Sequence, residues 1–600
     1  MRKSYDVIVV GGGHAGCEAA LASARLGSST LLVTLEKDKI GLMSCNPAIG
    51  GVGKGQLVKE IDALGGEMGK AIDAAMVQFR MLNSSKGYAA RSSRAQADRK
   101  KYNIYMREVV SNQDNLDILE DEVVFIQVEH KTVSGVGTKK HGSIHSGAIV
   151  ITPGTFVNGI MHIGLEHFSG GRIGEKAALD LSRNFTALGL KTMRLSTCTT
   201  PRLDGKTIDF SKLAVQQGDK TIVPFSFWTD GINIRQKSCF MARTTKLTHE
   251  IIKKNLKSSI FYSGKLGSGG VRYCPSIEDK IVRFPDKDRH LLFIEPEGFG
   301  TDEYYANGIF TGFPRDVQEK ITRSVPGLEK TEFTAYGYGI EYDAVQPTEL
   351  EPTLEVRKIK HLFLAGQVIG TTGYEEAAAL GIVAGINASM TAKQKGPFML
   401  DRSRAYIGVL VDDLVTKGTT EPYRMFTSRV EYRLTVREDN ATARLSKIGH
   451  GLGLLSDEKL ALVEKKEKKI EEIKKKLKAA GAFSRLLKRP EVSFDDVIRM
   501  AKWEDNFSYY EKTGVEVAVK YAGYIKREAS LMNKFRKIER VNIPENFDYL
   551  KVPGLSAEIR EKLSLFRPRS LGQASRISGV TPVAISLLMV KLHTYTQKPK

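Results

Sequence analysis

The sequence predicts an α/β protein whose parallel, nucleotide-binding sheet is interrupted by an insertion and followed by an all-α C-terminal domain. Three observations predict it. The run Val7-Ile8-Val9-Val10 leads directly into Gly11-Gly12-Gly13-His14-Ala15-Gly16 and an alanine-rich helical stretch from Cys17 to Leu26. Two later apolar runs, 147–152 and 361–365, also end in glycine turns. Beyond residue 400 these patterns give way to charged segments and short helical blocks punctuated by glycine and proline.

Val7 to Val10 is apolar at every position, as a parallel strand covered on both faces requires. Gly11, Gly13 and Gly16 then satisfy GxGxxG. Glycine serves here because the backbone must turn and approach a pyrophosphate, whose charge sits at the N-terminus of the following helix. A second strand, Thr30 to Thr34, follows and ends near Glu36. A carboxylate about 20 residues past the motif accepts ribose hydroxyls, although Lys37 and Asp38 give Glu36 the setting of a solvated loop.

The strand 147–152 closes on Pro153-Gly154, and His361-Leu362-Phe363-Leu364-Ala365-Gly366-Gln367 runs toward the glycine-punctuated helix start at Thr371 to Gly381. This three-part layout resembles the glutathione-reductase-like flavoproteins, in which the final strand and helix bring backbone amides to the flavin. The resemblance implies a Rossmann domain that binds FAD through Gly11, Gly12, Gly13, His14, Ala15, Gly16, Glu36 and Gln367. Those enzymes usually carry aspartate where this chain has Gln367, which keeps a polar contact and removes a charge. The expected organisation is a first FAD-binding part at 1–199, an inserted α/β domain at 200–350, a return segment at 351–400 and a helical domain at 401–600.

With 600 residues, 41% hydrophobic and 26% charged and only 19 prolines, the chain is neither a disordered tail nor a membrane channel. Its 90 Lys and Arg outweigh 69 Asp and Glu to leave a net charge of +21, of which residues 401–600 carry +14. Such a field draws a polyanion and holds it by counterion release, so nucleic acid is an expected partner class. A basic chain that is merely soluble is the competing explanation. Five scattered cysteines without CxxC spacing indicate neither a disulfide framework nor a zinc site. A reducing cytoplasm and no resident metal are expected, and the N-terminal apolar run is too short for a signal peptide or membrane span.

Ser44-Cys45-Asn46-Pro47-Ala48-Ile49-Gly50-Gly51-Val52-Gly53-Lys54-Gly55 precedes a helix expected near Gln56. A thiolate is favoured near a helix N-terminus and a lysine, which makes Cys45 a candidate nucleophile. Cys274, between Arg272 and Lys280 beside a proline turn, is a second. Cys17 fits a buried, inert thiol, and nothing in the neighbourhoods of Cys198 and Cys239 assigns them. The glycines of 264–270 either wrap a second dinucleotide, with Arg272, Lys280 and Arg283 on its phosphates, or form a surface loop. Lys86, Arg91, Arg94, Arg99, Lys100, Lys101 and Arg107 interleave with Tyr88, Tyr102 and Tyr105, as a path for unpaired RNA or as a solvated helix face. Lys465 to Lys478 reads as an exposed charged helix with a thin apolar stripe at Ile470, Ile473 and Leu477. The blocks 552–569 and 571–582 suit phosphate contacts or an apolar groove for a partner.

Taken together, GGGHAG at 11–16, SCNPAIGGVGKG at 44–55, the 86–99 stretch, YCPSIEDK at 273–280, FLAGQVIGTTGYEEAAALG at 363–381, EPYRMFTSRVEYRL at 421–434 and LGQASRISGVTP at 571–582 resemble the MnmG (GidA) family from the first strand to the last helix. That family is the FAD-dependent half of a bacterial complex with the GTPase MnmE. It installs an aminomethyl or carboxymethylaminomethyl group on C5 of the wobble uridine of certain tRNAs. The resemblance further implies NADH as reductant, methylene-tetrahydrofolate as one-carbon donor, ammonium or glycine as amine donor, and a homodimer whose helical C-terminal domain meets MnmE. Cys45 and Cys274 match the family's two functional cysteines. The family's NAD region carries over onto Gly270, Val271, Arg272, Tyr273, Pro275, Ser276, Ile277, Glu278, Asp279, Lys280, Ile281, Val282, Arg283 and Phe284. Cys198 stands where the family more often has glycine and is expected to be unrelated to catalysis. Two rivals are a folate- and FAD-dependent tRNA uracil-C5 methyltransferase, which lacks the long C-terminal extension, and a flavoprotein redox scaffold.

Overall fold

The structure is a computed structural model that describes residues 2–266 and 275–596. Its central sheet has seven strands. Ser4–Val10 lies between Thr30–Thr34 and Gly142–Ile151, parallel to both, and Leu116–Glu120 extends the parallel set beyond Thr30–Thr34. The first half of Gly142–Ile151 pairs with the hairpin Val123–Glu129 and Thr132–Thr138, and its second half pairs in parallel with Leu362–Leu364. The return strand therefore comes back to the same sheet more than 200 residues later, as the sequence pattern requires.

Full coverage of this sheet explains its apolar strands. Val7, Ile8, Val9, Leu31, Leu32, Ile149, Val150 and Phe363 have essentially no exposed surface. The helices His14–Arg25 and Tyr374–Ala392 cover one region of it, and both are rich in alanine and glycine, so their backbones pack closely. A three-stranded sheet of Ala48–Gly50, Ser92–Ala97 and Met76–Leu82 lies beside helices Gly55–Leu64 and Met68–Ala75. The helix following the cysteine-containing loop thus starts at Gly55, one residue before its expected position.

The insertion has its own core. Six antiparallel strands, including Arg202–Asp204, Cys239–Arg243, Leu291–Pro296 and Glu303–Asn307, form one sheet. Leu203, Leu292, Ile294, Tyr304 and Ala306 point into a cluster closed by Ile277, Ile281, Val317 and Ile321 from the helices Ile277–Arg283 and Arg315–Arg323. Alternation along the strands leaves Arg202, Glu295 and Tyr305 on the opposite face. Gly270, Val271, Arg272, Tyr273 and Cys274 lie outside the described residues. A four-stranded sheet, with Gly339–Val345 inside it and Thr192–Cys198 at one edge, joins the insertion to the main sheet.

From Tyr406 onward the described regular elements are helices. Asp457–Ala479 carries the charged stretch, with Ile470, Ile473 and Leu477 buried against Phe494 and Val515. Its neighbours Phe494–Met500 and Tyr509–Lys520 start with capping boxes, Ser493 with Asp496 and Ser508 with Glu511, which satisfy orphan N–H groups reciprocally. The last helices, Ala557–Phe566, Leu571–Arg576 and Pro582–Thr596, share a separate small core. No helix among the described residues is long and apolar enough to cross a membrane.

A buried charge network ties this end of the chain together. Arg402, 3% exposed, reaches Asp412 at 3.0 Å, Asp413 at 2.7 Å and Glu431 at 2.7 Å. Arg576 meets the same Asp412 at 2.7 Å and Glu539 at 2.9 Å. Removing Arg402 takes away the cation that both aspartates share in a dry site and leaves Asp412 to Arg576 and Asp413 to Lys417. Arg402→Gln is expected to cost about 3–5 kcal/mol, read as a lowered urea midpoint of the transition that includes the C-terminal helices; an unchanged midpoint would show that water solvates this network.

Candidate functional site

The turn after Ser4–Val10 is built by backbone proximity. Gly11 has φ +106°, and a Cβ there would lie 2.4 Å from the Thr152 carbonyl oxygen. At Gly16 a Cβ would lie 1.7 Å from the Gly11 oxygen, so strand, turn and helix touch without side chains. Gly13 differs, because nothing lies within 4 Å of its Cβ position. It is also the N-cap of His14–Arg25 and supplies no side-chain cap, which leaves the helix's first N–H groups facing open space.

That space is a cavity partly open to solvent. Gly11, Gly12, Gly13, His14, Ala15, Glu36, Thr152, Gly154, Gly366 and Gln367 line it, together with Thr372, Gly373, Tyr374, Cys45 and Cys198. The structure therefore brings the expected dinucleotide residues together, Gly16 standing just behind them as a packing glycine. Glu36 reaches the wall from an exposed position and pairs with Lys39 at 3.1 Å. His14 stacks on Tyr374 with ring centroids 4.4 Å apart. Burial, with Arg172 adding to it, pulls the His14 pKa down to about 3, so the ring is neutral; its Nε2 has no hydrogen-bond partner among the described residues. An uncapped helix end, an open glycine and an orphaned buried nitrogen on one wall fit a dinucleotide such as FAD.

Cys45 sits at the edge of this cavity, half-buried, in the loop before Ala48–Gly50. Its N–H donates to the Tyr374 hydroxyl at 2.6 Å, and its carbonyl accepts from the Arg202 guanidinium at 2.9 Å. Its Sγ lies 3.1 Å from the Tyr305 hydroxyl and 4.0 Å from the Cys198 carbonyl oxygen. The expected electrostatic partner is corrected here. Lys54 Nζ is taken up by Glu375 at 2.7 Å and Glu376 at 3.3 Å, where burial disfavours its charge but the two carboxylates raise its pKa overall. Among the described residues the cation that donates to Cys45 is Arg202, which pairs with Glu297 at 3.0 Å. Arg202, Tyr305 and Tyr374 are the residues sequence reasoning missed. Tyr374 stood inside a quoted glycine-rich block, whereas Arg202 and Tyr305 carry no spacing signal because their strands are short and the pairing is long-range.

The remaining thiols separate by environment. Cys17 is fully buried, and burial raises its thiol far above the ordinary range. Cys239 is raised to about 12, again chiefly by burial. Cys198 is 2% exposed yet lies on the cavity wall beside Cys45, a closeness its sequence context gave no sign of.

Pro275 to Phe284 stand apart from this cavity. Ser276 caps the seven-residue helix Ile277–Arg283, and Ile277 and Ile281 belong to the insertion's core. Glu278 is buried and accepts from Ser259 at 2.8 Å and Thr311 at 3.0 Å, its pKa raised by burial. Asp279 accepts from Tyr262 at 2.8 Å, and Lys280 donates to the Gly308 carbonyl at 3.2 Å. Val282, Arg283 and Phe284 form the exposed side.

The basic cluster is divided. Arg94 pairs with Glu295 at 2.8 Å and Arg99 with Glu297 at 3.0 Å, so both brace the insertion. Tyr102 is wholly buried, and Tyr105 donates to Glu67. Lys86, Lys100 and Lys101 are exposed, and Arg91 lies 3.9 Å over the Tyr88 ring.

Gly13 allows fold and site to be tested separately. Its φ of −76° is open to any residue. Gly13→Ala is expected to leave the unfolding midpoint of the ligand-free protein unchanged while lowering retained flavin, read as absorbance near 450 nm per protein. Gly16→Ala, whose Cβ collides with backbone, is expected to lower both; equal behaviour of the two variants would contradict this division.

Comparison with known proteins agrees with the geometry. A family model described as Glucose inhibited division protein A matches residues 6–396. Models described as the tRNA modifying enzyme MnmG/GidA C-terminal helical domain and C-terminal helical bundle match 436–529 and 531–600. Proteins named tRNA uridine 5-carboxymethylaminomethyl modification enzyme MnmG are 49% identical in Syntrophotalea carbinolica, covering 98% of this chain and 99% of that protein, and 51% identical in Aquifex aeolicus, covering 98% of each. The solved structure of Aquifex aeolicus GidA superposes with a TM-score of 0.92 at 50% identity, over 98% of this chain and 99% of that one. The chain belongs to the MnmG/GidA family.

Proposed function

We propose that the chain, with the GTPase MnmE, adds an aminomethyl or carboxymethylaminomethyl group to C5 of the wobble uridine of certain tRNAs. The observation that carries this reading is Cys45, held by its N–H, its carbonyl and its sulfur at the rim of the dinucleotide cavity. Relatives that carry the modification enzyme's name align over nearly the whole chain. Matches to both C-terminal models, 436–529 and 531–600, weigh against the methyltransferase, whose members lack that extension.

Uracil C5 is a poor carbon nucleophile. A thiolate adding to C6 forms a C–S bond and moves the C5–C6 π pair into an enolate that concentrates charge on C5. C5 then attacks the methylene carbon of an iminium whose nitrogen comes from ammonium or glycine, the C=N π pair moves to that nitrogen, and C5 loses its proton and expels the thiolate to restore the ring. One of Cys45 and Cys274 makes this addition and the other moves the proton. FAD, held by the loop Gly11 to Gly16 and by Gln367, supplies hydride chemistry when bound, with NADH as its reductant and methylene-tetrahydrofolate as the one-carbon source. The uncapped N-terminus of His14–Arg25 would hold its pyrophosphate, and the neutral His14, whose Nε2 has no partner among the described residues, would add no charge there. NADH is assigned to the 270–284 segment, in which Arg283 is exposed.

The tRNA is assigned to the exposed lysines Lys86, Lys100 and Lys101 with Arg91, next to Arg94 and Arg99, and to the basic C-terminal region. That region also meets MnmE. The working assembly is a cytoplasmic homodimer of this chain joined by MnmE into a heterotetramer.

In cells lacking the gene, nucleoside mass spectrometry is expected to show loss of the C5-aminomethyl-type wobble uridines. Wild type restores them, whereas Cys45→Ser and Cys274→Ser each fail to, with flavin and tRNA binding retained. Restoration by both cysteine variants would remove the covalent mechanism. The triple change of Lys86, Lys100 and Lys101 to Ala is expected to weaken tRNA binding and to flatten the plot of log affinity against log salt by about 2; an unchanged slope would move the tRNA path elsewhere.

A further inference from the structure

Tyr305 stands out among the residues around Cys45 because it reaches the sulfur itself. The Tyr305 side chain has no exposed surface, and its hydroxyl lies 3.1 Å from Cys45 Sγ. It belongs to the strand Glu303–Asn307, whose neighbouring residues Tyr304 and Ala306 are locked into the insertion's core. Tyr305 is the register partner of Arg202 on the adjacent antiparallel strand, and the Arg202 guanidinium lies 4.8 Å from the Tyr305 ring centroid. Arg202 is 6% exposed, pairs with Glu297 and donates to the Cys45 carbonyl. With its N–H also fixed by Tyr374, Cys45 has both backbone polar groups held, and its sulfur faces the phenol.

We propose that Tyr305 is a further catalytic residue of this site, its hydroxyl donating to Cys45 Sγ and holding it as the thiolate, with Arg202 positioning both. This rests on the reading of Cys45 as one of the two reacting thiols. An ordinary phenol titrates near 10 and an ordinary thiol near 8.5. On ionisation, therefore, the thiol gives its proton to solvent, Tyr305 keeps its own, and the phenol O–H donates to sulfur. A hydrogen bond to an ionised acceptor is stronger than one to the neutral group, so it favours the charged form. The guanidinium against the ring withdraws electron density from the phenol and makes it a better donor. Other groups facing Cys45 among the described residues are the phenols of Tyr374 and Tyr338, both raised by burial and neutral at pH 7, and the Cys198 carbonyl. Among the described residues Arg202, paired with Glu297, is the cation that donates to Cys45, and Arg99 and Arg172 act on the Tyr374 and Tyr338 phenols.

The test follows Cys45 directly. Full-length flavin-loaded protein is alkylated with iodoacetamide between pH 6 and 10, and the Cys45 peptide is quantified by mass spectrometry. Tyr305→Phe is expected to move the midpoint of the rate–pH curve upward by about one unit, a tenfold loss of reactivity at pH 7 with little change at pH 10. Replacing Tyr305 by 2-fluorotyrosine, a slightly more acidic phenol of nearly the same shape that still titrates above an ordinary thiol, is expected to move the curve the other way. In turnover with tRNA, Tyr305→Phe is expected to lower kcat with KM for tRNA held, and raising the pH recovers rate. Superimposable alkylation curves for wild type, Tyr305→Phe and the 2-fluorotyrosine protein overturn the proposal. Because alkylation needs no tRNA, that result is distinct from retained modification by Cys45→Ser, which overturns the reading on which the proposal rests.

Discussion

The close approach of two helices sets the geometry on which the site depends. A Cβ at Gly381 would lie 2.1 Å from the Ala15 carbonyl oxygen, and one at Gly385 would lie 2.3 Å from the Ala19 oxygen. Only a glycine surface lets Tyr374–Ala392 lie this near to His14–Arg25, and Ser23 seals the contact by donating to the Gly385 carbonyl at 3.0 Å. The consequence appears one turn further on. The two helix starts come together, His14 stacks on Tyr374, and both N-termini border the same cavity. Tyr374 in turn holds the Cys45 N–H, so the spacing of two helices reaches the candidate thiol through one ring and one hydroxyl.

Buried carboxylates carry this order outward. Glu18 accepts from the Met68 and Glu67 N–H groups, and burial raises its pKa to about 7. Glu60 accepts from Tyr406 and Ile407, each at 3.0 Å, and meets Arg444 at 2.9 Å. Glu438 accepts from the Ser93 N–H at 2.9 Å, and Glu376 from the Met425 N–H at 2.9 Å. Each joins segments far apart in sequence by filling a backbone donor that would otherwise be stranded. Helix starts and loops of the C-terminal region are thereby fixed to the flavin half by polar anchors, not by apolar area alone.

The sheet was legible in the sequence where burial is complete, since Val7–Val10, 147–152 and 361–365 have no polar face to confuse the period. The phosphate loop was legible because steric demand at Gly11 and Gly16 leaves one residue type. The charged helix Asp457–Ala479 was legible because Ile470, Ile473 and Leu477 repeat at helical spacing. The insertion's sheet was not, because strands of three to six residues paired across as many as 133 positions, Arg202–Asp204 with Phe333–Ala335 among them, leave no local pattern. For the same reason Lys54 misled. Its nearness to Cys45 in sequence says nothing of Glu375 and Glu376, which approach from more than 300 residues away. Arg94 and Arg99 look like solvent-facing cations until Glu295 and Glu297 are brought against them.

Those two ion pairs bear on the thiol. Glu297 is shared by Arg99, at the start of a helix of the flavin half, and by Arg202, on a strand of the insertion. Arg94 and Glu295 make a second strut beside it. The insertion that carries Tyr305 is therefore registered against the loop that carries Cys45 by ion pairs whose carboxylates are buried, where loss of the cation is costly. The three atoms of Cys45 answer to different parts of the chain: the N–H to the return helix, the carbonyl and the sulfur to the insertion. Such a residue has its full set of partners only when both parts are docked. The thiol's surroundings thus report on the assembly of the cavity, and a shift of the insertion by the length of one hydrogen bond is enough to part phenol from sulfur.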